Sequence, residues 1–149
     1  MSETYSKKHI KSTITAGSVY YYREESFSST HPHYFIVINI DPPSDAVIFL
    51  VCASSQIDNC RRLRKGLPNE TLVEITPSQY TEFSKRSIID CNDVFKRSID
   101  EIAGMLSQGK LEIKPVIGLR LVKRLRQGVI LSPLVENYVK KALQYTKPE

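Results

Sequence analysis

Tyr34-Phe-Ile-Val-Ile-Asn-Ile40, Asp41-Pro-Pro-Ser-Asp45 and Ala46-Val-Ile-Phe-Leu-Val-Cys-Ala53 decide how this chain is read. Two short apolar runs rich in Val, Ile and Phe flank a polar segment. Such runs fit a pleated strand better than a helix, which needs greater length and a 3.6-residue pattern. Pro42 and Pro43 cannot donate to a ladder, so Asp41–Asp45 is a turn. The two runs are therefore predicted to pair as an antiparallel hairpin. Because both are almost wholly apolar, they belong on a barrel wall or in a sheet covered on both faces.

Working outward, Ser18-Val-Tyr-Tyr-Tyr22 reads as a strand, and Arg23–His33 as a polar loop holding Ser26, Ser28, Ser29 and Pro32. Residues 1–16 are polar and predicted to fray. On the other side, Thr71–Ile75 and Ser87–Asp90 are short strands, the latter leading into Asn92-Asp-Val-Phe95. Thr76-Pro77 between them predicts a brief helix over residues 77–83, with Thr76 as cap and Pro77 at the first helical position. The remainder is predicted helical. Ser98 and Glu101 form a capping box ahead of Ile99, Ile102, Ala103 and Leu106. Pro115 opens a second helical segment, with Leu121, Val122 and Leu125 inward and Gly128 as its end. Ser132-Pro133 starts a last helix, with Val135, Tyr138, Val139 and Ala142 inward. Strands first and helices later predict one α+β domain over residues 1–149. Residues 17–95 form its small barrel or strongly curled antiparallel sheet, and residues 98–145 its helical part.

Composition bounds the function. The longest apolar run, Ala46–Ala53, is too short to span a bilayer, and the N-terminus lacks the apolar stretch of a secretory signal. The expectation is a cytoplasmic protein with no membrane partner. Cys52, Cys60 and Cys91 make no C-x-x-C pair and have no histidine at ligand spacing, so neither structural zinc nor a disulfide framework is expected. No phosphate-binding glycine loop of the dinucleotide or P-loop type occurs, and no cofactor is expected. The net charge of +5 is uneven. Residues 1–109 carry 12 Lys and Arg against 13 Asp and Glu, whereas residues 110–149 carry 9 against 3. A basic tail suits a polyanionic partner, nucleic acid or an acidic protein segment, or else is a solvated helix surface.

Three clusters carry candidate chemistry. Thr30-His31-Pro32-His33 places two histidines at the mouth of a long strand, where either could move protons, although loop histidines often do nothing chemical. Ser54-Ser55-Gln56 puts small hydroxyls and an amide just past a rigid strand, placed to hold a phosphate or simply to close the strand. The third cluster is basic: Arg61, Arg62, Arg64 and Lys65, with Arg120, Lys123, Arg124 and Arg126. Arginine forks match phosphate oxygens, so this cluster suits an RNA or DNA track.

In its order of parts the sequence resembles the PemK/MazF-like toxins. The match runs through Gly17-Ser-Val-Tyr-Tyr, His33-Tyr-Phe-Ile-Val-Ile-Asn39 and Val47-Ile-Phe-Leu-Val-Cys-Ala-Ser-Ser-Gln56. It continues in Ser87-Ile-Ile-Asp-Cys-Asn-Asp-Val94 and Ile102-Ala-Gly-Met-Leu-Ser107, so that residues 17–109 are covered. The resemblance implies an SH3-like barrel, a homodimer, and metal-independent endoribonuclease activity restrained by an antitoxin. In that family an arginine before the second main strand and a threonine or serine after the third carry the chemistry. Ser54 matches the second position, with Ser55 beside it. The first falls on His33 or His31, so the arginine is absent here.

The resulting expectation is an RNA-cleaving toxin. His33, His31 and Ser54 would be catalytic, and Ser55, Gln56, Arg61, Arg62, Arg64, Arg120, Lys123 and Arg124 would hold RNA. Two alternatives stay open: a nuclease-dead relative that binds nucleic acid or protein through the same face, and a purely structural interaction module.

Overall fold

In the computed structural model, which describes residues 2–144, seven strands and five α-helices follow one another along the chain. Met1 and Tyr145, at the two ends of the predicted segments, lie outside the described residues. Helix α1 (Glu3–Thr13) precedes β1 (Val19–Tyr22), β2 (His33–Val37) and β3 (Ile48–Ser54). Next come α2 (Ile57–Leu63), β4 (Leu72–Ile75), β5 (Ser87–Asp90) and β6 (Phe95–Arg97). The chain then runs through α3 (Ile99–Ser107), β7 (Leu111–Lys114), α4 (Leu119–Leu131) and α5 (Asn137–Gln144).

The predicted hairpin is present: β2 and β3 pair antiparallel, with Phe35 opposite Cys52 and Val37 opposite Leu50. Pro42–Ser44 form a single 3₁₀ turn between them. Asn39 holds that connection by standing in for the ladder. Its Nδ2 donates to Val47 O (2.8 Å) and to Asp45 Oδ2 (2.9 Å), and its Oδ1 accepts from Phe49 N (2.6 Å). Phe35, Ile36, Val37, Leu50 and Val51 have no exposed surface, as apolar runs on a two-sided sheet require. Burying each such side chain stabilises the fold by about 1.5–3 kcal/mol.

The sheet is antiparallel, in the order β4-β5-β3-β2-β1-β7, with β6 also on β3, and it does not close into a barrel. It is the curled sheet of the two architectures expected. One face meets α1 and α3 through Ile10, Ile14, Tyr20, Phe35, Leu50 and Ile102. The other meets α4 and α5 through Val19, Ile36, Val51, Ile89, Val122 and Leu125. Helix α4 reaches from one flank of the sheet to the other. Near its start, a Cβ on Gly17 (φ +93°) would come within 2.6 Å of Ile117 O and 3.0 Å of Val122 Cγ2. Near its end, a Cβ on Gly128 would meet Glu70 O at 2.6 Å. Glycine at both points lets the helix lie against the backbone of the sheet's two ends.

Five local expectations are corrected. Residues 3–13 are a capped helix with Ser6 and Ile10 buried, because α1 has α3 to pack on. Residues 77–83 form turns rather than a helix: Gln79 N and Tyr80 N both return to Thr76 O, and Tyr80 and Phe83 go into the core. The stretch after residue 98 is not wholly helical, since Leu111–Lys114 adds to the sheet beside β1. Gly128 lies inside α4, where the close approach selects it, and does not end the helix. The last helix starts at Asn137 and buries Val139 and Leu143, leaving Tyr138 and Ala142 exposed.

Candidate functional site

Continuing the β2–β3 register two residues beyond Phe35 and Cys52 sets His33 opposite Ser54. Directly opposite residues of an antiparallel pair project from the same face, so the two side chains are neighbours. His33, Ser54 and Gln56 together line two clefts at this end of the sheet, one of about 520 Å³ and one of about 270 Å³. They form the wall between the two.

Local chemistry sets each group. Ser54 Oγ accepts from Gln56 N at 3.0 Å, closing β3 and turning the chain into α2. Ser29 Oγ accepts from His31 N at 3.1 Å, which shapes the loop before β2. The His33 ring stands edge-on to Phe27, with centroids 5.1 Å apart. Its Nδ1 is buried without a hydrogen-bond partner among the described residues. His31, Ser55 and Gln56 are exposed on the larger cleft. The far wall of that cleft is the 76–86 segment, pinned by Tyr34 Oη donating to Glu82 O (3.3 Å) and by Phe83 against the Tyr34 ring. This wall adds Ser84, Lys85 and Ser87. Sequence reasoning missed these three, since only tertiary packing brings the segment beside His33.

The smaller cleft is of different character. Phe27, Phe95 and Leu63 line it, together with Asn59, Asp90 and Asp93. Asp93 lies at the surface, yet the cleft wall desolvates its carboxyl and Asp90 adds a like charge, which holds its pKa above the ordinary carboxylate range. Burial likewise pushes up the thiols of Cys52 and Cys60, both on this cleft, so neither is a ready thiolate.

The basic residues separate into two groups. Arg61 pairs with Glu74 at 2.5 Å, and Arg64 Nε donates to Asp90 Oδ2 at 2.8 Å with both side chains mostly buried. Arg86 also pairs with Glu74. Hydrogen bonds from Arg61 and Arg86 hold the Glu74 carboxyl below its usual range. Arg62 donates to Asn59 Oδ1. On α4, Arg120, Lys123 and Arg124 are exposed and share a shallow depression with Leu119 and Gln127. Arg126 turns inward instead, donating to Ile38 O (2.7 Å) and Asn39 O (2.9 Å), so it is part of the core's polar closure.

Among the described residues, no group of three or more His, Cys, Asp or Glu is placed to hold a metal ion. No helix among them is long and apolar enough to cross a membrane. No family model matches the chain, and no curated protein matches it. Among solved structures it is similar to an endoribonuclease in complex with its cognate antitoxin from a mycobacterial species. That likeness has a TM-score of 0.49 at 9% identity and covers 91% of this chain and 100% of the other.

Proposed function

We propose that this chain is a toxin-like endoribonuclease that cleaves RNA without a metal, is restrained by an antitoxin protein, and acts in the cytoplasm as a homodimer. One observation carries the reading of the site: His33 and Ser54, at the neighbouring ends of β2 and β3, share with Gln56 the wall of a hydroxyl-rich cleft. The restraint and the dimer follow the sequence resemblance, and the compartment follows the composition.

The chemistry is that of RNA's own nucleophile. The ribose 2′-oxygen attacks the adjacent phosphorus, the P–O5′ bond breaks, and a 2′,3′-cyclic phosphate remains. His33 accepts the 2′-hydroxyl proton, and His31, on the same cleft, donates a proton to the leaving 5′-oxygen. Ser54, Ser55 and Gln56 hold the phosphate, and Lys85 offsets the charge that develops on its oxygens.

The test is cleavage of end-labelled RNA by the purified chain. His33→Ala, folded by circular dichroism, should cut roughly 10²–10⁴-fold more slowly. RNA methylated at the 2′-oxygens should remain whole. Cleavage that survives either change ends the proposal.

A second reading, a module that binds RNA without cutting it, is favoured by one observation. Lys85 is the only lysine or arginine on the larger cleft among the described residues, because Arg61 and Arg64 are committed to Glu74 and Asp90. RNA bound but left intact by the unmutated chain would select it.

A further inference from the structure

We infer that the smaller cleft beside His33 is a nucleobase pocket that selects guanine. The inference rests on the reading of this chain as one that acts on RNA, and it names the base that chain would recognise. Single-stranded RNA is read by stacking a splayed base on aromatic rings and hydrogen-bonding its edge. The cleft supplies both.

Phe27 and Phe95 are half-buried and meet edge to face at 5.6 Å, while His33 sets its edge against Phe27. Rings already held by neighbours lose little freedom when a base stacks on them. At about 270 Å³ the cleft suits one flat ring system, with the phosphate left in the larger cleft across the shared wall. Charge divides the two in the same way. Asp93 repels a phosphate from the smaller cleft, where Asp90 is already neutralised by Arg64, and Lys85 attracts it to the larger one.

The polar groups then choose the base. Asp90 is occupied by Arg64 Nε and by Asn92 N, and Asn59 by Arg62 and Gln56. The Asp93 carboxylate makes no hydrogen bond or ion pair among the described residues. An ionised carboxylate only accepts. Guanine presents two adjacent donors on its Watson–Crick edge, N1–H and the 2-amino group, which match the two oxygens. Adenine and cytosine offer one donating group there, beside an acceptor. Uracil offers one N–H between two carbonyls that a carboxylate repels.

Titrating the ¹⁵N-labelled chain with GMP, AMP, CMP and UMP, followed by amide shifts, tests this without requiring turnover. GMP should bind roughly ten-fold tighter than the others or better, as one bidentate pair implies. The shifts should centre on Phe27, Asn59 and Asp93. Asp93→Asn, at an exposed position, should bring GMP down to the level of the other three and leave those unchanged. Equal binding of all four nucleotides, or a GMP preference that persists in Asp93→Asn, overturns the pocket. GMP preference in a chain that leaves RNA intact would uphold the pocket and end the nuclease proposal. RNA cleavage with no nucleotide preference would do the reverse.

Discussion

Helices α2 and α4 carry the two arginine clusters, and their surroundings differ. Arg61 on α2 is paired with Glu74, and Arg64, just past the end of α2, with Asp90 in a mostly buried contact. On α4, Arg120, Lys123 and Arg124 project from an exposed face, and no ion pair ties them to any described residue. In sequence the two clusters look alike. The difference teaches that a count of basic residues measures potential charge, whereas the field open to a polyanion depends on which charges already have partners. The α2 arginines join the helix to the β4–β5 edge and are structural first. The α4 cations have no such duty.

Breaking an α2 pair should produce the largest effect on stability. Arg64→Ala leaves the Asp90 carboxylate without its charged donor in a mostly buried place. It should destabilise the fold by about 2 kcal/mol, the range for a charge-assisted hydrogen bond. For a chain of this size that is a fall in Tm of roughly 4–8 °C by scanning calorimetry. A Tm equal to that of the unmutated chain would show that the pair is not structural.

The α4 side gives the complementary expectation. Arg120→Ala with Arg124→Ala should change stability by less than about 0.5 kcal/mol, as at other solvated positions. If these side chains contact phosphate, the double variant should lower the salt dependence of RNA binding by about two in log–log slope. An unchanged slope would reduce the α4 face to solvated surface.

The smallest effect sharpens the α2 side through pH. Glu74 is held below the usual carboxylate range by Arg61 and Arg86, so its contribution is present above the unfolded-state pKa. It is lost as pH falls through the lowered folded-state value. Chemical denaturation of Glu74→Gln should therefore show a small deficit against the unmutated chain near neutral pH. The deficit should vanish in acid, where both proteins carry a neutral group. A deficit that is constant with pH would mean that packing, not charge, is involved.

Much of this molecule was legible in its residues. The hairpin around Asp41–Asp45, the strand at Ser87–Asp90, the Ser98–Glu101 capping box and the inward Leu121, Val122 and Leu125 are all where local chemistry places them. Each rests on interactions within a few residues, or on a periodicity that exposes one face. The juxtaposition of His33 and Ser54 belongs to this group, since a short turn and antiparallel pairing bring the two strand ends together.

Other features answer to contacts that no local pattern encodes. Residues 3–13 look like a frayed polar leader because only two of them, Ser6 and Ile10, are buried, and their partner α3 lies far along the chain. Leu111–Lys114 becomes a strand because β1 offers it a free edge. The 76–86 segment brings Lys85 to the cleft because Tyr80 and Phe83 sink into the core, with Tyr80 Oη donating to Pro115 O at 2.7 Å. The two arginine clusters part for the same reason. By itself, then, the sequence determined the β2–β3 hairpin, the strands at Val19–Tyr22, Leu72–Ile75 and Ser87–Asp90, the Ser98 cap and which residues could carry charge, since short-range sterics and burial periodicity decide those. Only the tertiary structure decided which arginines stay free and which side chains share a cleft with His33, because ion pairing and cleft walls depend on distances between segments that are remote in the chain.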